Sequence, residues 1–72
     1  MDQMKQMIRE FENILNMHTD NPMKGVNAAI NFIVRKYSKS ETDTICPYLS
    51  KRLGIAEWII RCDITKRYRQ MK

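Results

Sequence analysis

Leu49-Ser50-Lys51-Arg52-Leu53-Gly54-Ile55-Ala56, followed by Ile59 and Ile60, is the stretch whose reading decides the fold. A helix-turn-helix needs a small residue where its two helices approach, a glycine able to turn left-handed between them, and an apolar residue just after it. Ser50, Gly54 and Ile55 supply these in that order. Leu49 and Leu53 would then face Ile59 and Ile60 across the angle. One position departs from the pattern: three residues beyond Ile60 stands Asp63, with Ile64 beside it. A buried unpaired carboxylate is costly, so a slight rotation of the last helix is expected, or a partner for Asp63 in Lys66 or Arg67. A helical hairpin with no DNA-binding role would share much of the same pattern.

Upstream, the apolar residues recur at helical spacing. Met4, Met7, Ile8, Phe11, Ile14 and Leu15 predict an amphipathic helix over residues 3–17, with Asp2 as N-cap. His18-Thr19-Asp20 breaks it, and Asn21-Pro22 starts the next, because a side-chain acceptor precedes a residue whose missing N–H costs nothing at N1. Helix two is expected from Pro22 to Tyr37, with Val26, Ala29, Ile30, Ile33 and Tyr37 inward and Phe32 and Val34 widening the apolar sector. The polar residues 38–42 end it. Thr42 or Asp43 would cap a third helix holding Ile45, Leu49 and Leu53, in which Pro47 is tolerable only in the first turn. Gly54 closes that helix, and residues 56–69 give a fourth, with Ile59, Ile60, Ile64 and Tyr68 on one face. With no strand signal, repeat or low-complexity linker, the expectation is an all-α, small four-helix domain. Residues 1–20 form its N-terminal amphipathic part, and 21–72 contain the helix-turn-helix made by the last two helices.

Seventy-two residues leave room for one core, and a chain of this size buries only about 60% of the surface its unfolded form exposes. A deep substrate cavity would compete with that core for apolar side chains. Catalysis is not expected: there is one histidine, no glycine-rich phosphate loop and no GxSxG or HExxH spacing, and Glu10 and Glu12 fall on different helix faces. No cofactor is indicated. Cys46 and Cys62 are sixteen apart, which fits neither a redox pair nor half a zinc site, so no metal is expected and both read as small buried thiols. The longest apolar stretch, residues 28–34, is interrupted by Asn31 and too short to span a bilayer, and Asp2, Arg9, Glu10 and Glu12 interrupt any signal-peptide run. The expectation is a cytoplasmic protein without membrane contact.

The net charge of +5 is not spread evenly. Residues 1–50 hold six bases and six acids, whereas Lys51, Arg52, Arg61, Lys66, Arg67, Arg69 and Lys72 face only Glu57 and Asp63. A neutral body with a basic end suits a polyanion or an acidic partner, the plain alternative being a solvated tail. If the helix over 56–69 enters a major groove, the base-reading candidates lie near its start: Glu57, Trp58 and Arg61, the last able to pair bidentately with guanine. Lys51, Arg52, Lys66, Arg67 and Arg69 would be phosphate contacts, although cations late in a helix are also favoured by its dipole. Trp58 could touch a thymine methyl, belong to the core beside Cys62, or lie on an oligomer surface. Six methionines, Met1, Met4, Met7, Met17, Met23 and Met71, suit irregular core gaps or an adaptable binding face on helix one.

The order Lys24-Gly25, Ala29-Ile30, Thr44-Ile45-Cys46-Pro47 and Leu49-Ser50-Lys51-Arg52-Leu53 resembles the C-terminal effector domain of the stage-zero sporulation response regulator. The resemblance covers roughly residues 13 to 62 and is strongest over 44–53. It implies an all-helical DNA-binding unit with helix three positioning and helix four recognising. Two departures weaken any transfer of DNA specificity. The family's recognition helix is arginine-rich near its start, where Trp58, Ile59 and Ile60 stand here, and only Arg61 has a counterpart. The family also continues into further helices and carries a phosphoacceptor receiver domain.

Two functions follow from the residues. One is a small transcriptional regulator that binds double-stranded DNA as a homodimer, because one such module grips too little duplex. The other is a protein-binding inhibitor of phage or mobile-element type, whose helix-turn-helix-like domain blocks an acidic partner, a regulator protein or a nucleic-acid enzyme.

Overall fold

A computed structural model describes residues 3–71, in which every regular element is a helix: α1 Gln3–Met17, α2 Pro22–Lys36, α3 Lys39–Asp43, α4 Cys46–Leu53 and α5 Glu57–Gln70. Asp2, expected as the cap of α1, and the basic Lys72 lie outside the described residues. The all-α class stands, with five helices in place of four. The additional one is α3, in the stretch expected to be a polar connection. Ser38 caps it reciprocally: its Oγ accepts from the Glu41 N–H at 3.3 Å, while Glu41 Oε1 accepts from the Ser38 N–H at 2.8 Å. Thr42 and Asp43 therefore end a helix and do not begin one. Ile45 holds the N-cap position of α4 without a side-chain cap. Thr42 is buried, and its hydroxyl shares a 2.7 Å hydrogen bond with that of Tyr68.

Other boundaries follow the local chemistry. Asn21 Oδ1 accepts from the Lys24 N–H at 3.2 Å and Pro22 opens α2, as the pair predicts. The helix stops one residue earlier than expected, because Tyr37 turns extended as its N–H closes on the Ile33 carbonyl. Pro47 sits in the first turn of α4, where no N–H is missed. Gly25 lets α2 approach the α1–α2 turn: a Cβ there would come within 2.9 Å of His18 Cβ.

The core gathers Met7 and Phe11 from α1, Ala29, Ile30, Ile33 and Val34 from α2, Cys46 and Leu49 from α4, and Ile60 and Ile64 from α5, with Tyr37 and Ile45 between helices. Phe11 is fully enclosed and meets Tyr48 edge-on, 6.3 Å between centroids. Ile8, Ile14 and Leu15 pack at its margin, while Met4, Met17 and Met23 are exposed. Cys46 is buried, but Cys62 is exposed, contrary to expectation. The rotation of α5 that buries Ile60 and Ile64 turns residue 62 to the opposite side.

Two carboxylates of α1 tie it to the rest. Glu10 accepts from Lys36 Nζ at 2.5 Å and from the Tyr37 hydroxyl, and Glu12 is gripped by Arg52 through Nε at 2.8 Å and Nη2 at 3.2 Å and also accepts from the Tyr48 hydroxyl. Burial would raise the Glu10 carboxyl, but the bonds from Lys36 and Tyr37 outweigh it and hold it low. The Arg52 bond does the same for Glu12 against a smaller burial effect. Burial and the neighbouring Glu12 push the Tyr48 phenol up to about 12.

Both glutamates titrate below the unperturbed value of 4.5, so their ties contribute above that pH and are lost as acidification passes the folded values. Urea midpoints are expected to fall between about pH 5 and pH 3. A Glu10→Gln, Glu12→Gln double variant should be less stable at neutral pH and flatter in this window. An unchanged acid slope in that variant would remove these ties as its cause.

A candidate nucleic-acid interface on helix five

The connection between α4 and α5 is three residues long and closes on one serine. Gly54 is left-handed at φ 68°, and the N–H groups of Gly54 and Ile55 both donate to the Ser50 carbonyl, at 3.0 and 3.2 Å. The Ser50 hydroxyl donates back to the Ile55 carbonyl at 2.7 Å. Ser50 thus binds the turn from both ends, a role beyond small size. Nothing lies within 4 Å of the position a Gly54 Cβ would take, so a Gly54→Ala loss would come from the backbone alone, about 1–2 kcal/mol. Gly54→Asn should lose less, as read from urea midpoints. Equal losses would reject that origin.

Beyond the turn, Ile60 and Ile64 fix how α5 sits, and Tyr68 locks its far end. The Tyr68 hydroxyl donates to the Tyr37 carbonyl at 2.7 Å while bonding Thr42. The opposite face carries Trp58, 69% exposed, then Arg61, Cys62, Thr65, Lys66 and Arg69. A shallow depression runs along the last five. Ile59, expected inward, is 43% exposed, and Leu53 is only partly buried. Asp63 finds its partner in Arg67, one of the two foreseen, at 2.8 Å, and Ile64 takes the inward place.

The expected contact residues fall into three groups. Glu57 and Arg61 bond each other, Nε to Oε2 at 2.8 Å, and Arg61 Nη1 lies 4.0 Å from Asp43 Oδ1. That Glu57 bond raises the Arg61 guanidinium above its ordinary value. Arg52 and Arg67 are occupied within the fold: Arg52 by Glu12, and Arg67 by Asp63, Asn31 Oδ1 at 2.5 Å and Asn27 Oδ1 at 2.9 Å. Lys51, Lys66 and Arg69 are exposed, with no ion-pair partner among the described residues.

Sequence reasoning did not place Cys62 and Thr65 on this face, although they stand four and seven residues beyond Trp58. No helix among the described residues is long and apolar enough to cross a membrane, and none of their His, Cys, Asp and Glu side chains gather as a metal site. Comparison with known protein families, curated proteins and solved structures finds no match.

Proposed function

We propose that the chain is a small regulator that binds double-stranded DNA through a helix-turn-helix, with α4 positioning and α5 reading. The carrying observation is the exposed face of α5, where Trp58, Arg61, Cys62, Thr65, Lys66 and Arg69 stand together, with Glu57 and Asp43 the carboxylates beside Arg61 and none paired with Lys66 or Arg69 among the described residues. The resemblance to the sporulation effector domain supports the same assignment of helices. Lys66, Arg69 and Lys51 contact phosphate, and Arg61, released from Glu57, pairs with a base edge beside Trp58. Two copies on adjacent half-sites supply the grip that one module lacks.

The test is a titration of labelled duplex at increasing salt, in which affinity should fall linearly on logarithmic axes. Absence of binding even at low ionic strength would end this reading. Exposure of Trp58, Ile55 and Ile59 near the start of α5 favours a second reading, an inhibitor that docks on another protein. Recovery of DNA with no stoichiometric protein would count against it.

A further inference from the structure

Away from the basic face, α2, the α4–α5 turn and the first turns of α5 enclose an apolar groove. Its floor is Ile30 and Ile60, and its walls include Met23, Val26, Ile55 and Ile59, around a volume of about 440 Å³. Met23 is 81% exposed and Ile55 and Ile59 about 40%, so these side chains lack the cover that the core residues have. We propose that this groove docks an acidic amphipathic helix of a partner protein. This inference adds the surface and the chemistry of its occupant to the inhibitor reading and needs no DNA contact.

Shape and charge both support that occupant. A channel between two helices, lined by aliphatic side chains, accepts residues at i, i+3, i+4 and i+7 of a third. Asp63, the acid at the groove, is neutralised by Arg67, itself held by Asn27 on the opposite wall. The lining is thereby neutral, and the unpaired charges next to it in the chain are Lys24 and Lys66 against Asp20. Lys24 follows Met23 on the outer side of α2, and Lys66 lies two turns beyond Ile59 on α5; both are exposed and without an ion-pair partner among the described residues. Carboxylates flanking an apolar stripe would meet these lysines, whereas a second copy of this chain would oppose like charges across the same groove. Nucleic acid offers no apolar ridge to fill it.

The probe is a synthetic helix of about fourteen residues, roughly 21 Å long, with leucine at i, i+3, i+4 and i+7 and glutamate at the other positions. Its counterpart carries lysine for every glutamate. With DNA absent, titration into the labelled protein is followed by amide chemical shifts and Trp58 fluorescence. The acidic peptide should bind at least tenfold more tightly than the lysine peptide and shift Met23, Val26, Ile55 and Ile59. Met23→Glu should weaken it at least tenfold while keeping the helical circular-dichroism signal, since Met23 is outside the core. Lys24→Glu with Lys66→Glu should erase the preference between the peptides. Equal binding of both peptides, shifts elsewhere, or no binding would overturn the proposal. So would a self-association, seen by sedimentation, that Met23→Glu abolishes. Failure here leaves duplex binding untouched, and loss of duplex binding leaves this result standing.

Discussion

Replacing Phe11 with alanine is expected to remove about 3–5 kcal/mol of stability, the largest loss from any single side chain considered. The ring is fully enclosed and meets the edge of Tyr48, and together with Met7 it is what α1 places in the core. Truncating a buried phenylalanine costs about 3–5 kcal/mol, because contacts are lost and the cavity closes only partly. A chain of this length has roughly 4–11 kcal/mol of total stability, at about 0.05–0.15 kcal/mol per residue. One ring therefore carries a large share of the margin. Urea and thermal unfolding followed by far-ultraviolet circular dichroism would measure it, with Met17→Ala as the exposed control expected within about 0.5 kcal/mol of wild type. A Phe11→Ala protein as stable as that control would mean that α1 is not held as described.

The second large effect is on the proposed DNA contact. Removing both Lys66 and Arg69 should flatten the dependence of log affinity on log salt by about 1.8, from about 0.9 for each phosphate neutralised. At 0.1 M salt this amounts to on the order of 50-fold weaker binding, alike on all sequences. Arg61→Ala should instead reduce discrimination between sequences, and Arg67→Ala should lower the melting temperature with the salt slope unchanged, since its guanidinium is bonded to Asp63, Asn31 and Asn27. Equal flattening by Arg67→Ala and Lys66→Ala would reject this division of the basic residues.

Local chemistry made much of the fold legible. Asn21-Pro22, Pro47, Gly54 and the Met7 and Phe11 stripe each act within a turn or two of chain, and each is found in its expected role. The Ser38-x-x-Glu41 capping signature also lay in the sequence, but the polar composition around it reads as a connection until the cap is recognised. What local reading misses depends on residues distant in the chain. Thr42 is buried because Tyr68, 26 positions on, receives its hydroxyl. Arg52 and Arg67 count as available charges only while Glu12, Asn27 and Asn31, 36 to 40 residues away, are out of view. The candidate site was legible as a helix face; which cations on it are unpaired was not.

The same distances bear on how fast the chain folds and comes apart. The α1–α2 hairpin and the α4–α5 turn close over short separations, so they form with little loss of chain freedom. The Arg52–Glu12 and Arg67–Asn27 bonds each close a loop of 40 residues and depend on helices already docked. Interactions completed after the rate-limiting step act mainly on the unfolding rate. These two arginines are therefore expected to act as late latches, so that Arg52→Ala and Arg67→Ala raise the unfolding rate more than they slow folding.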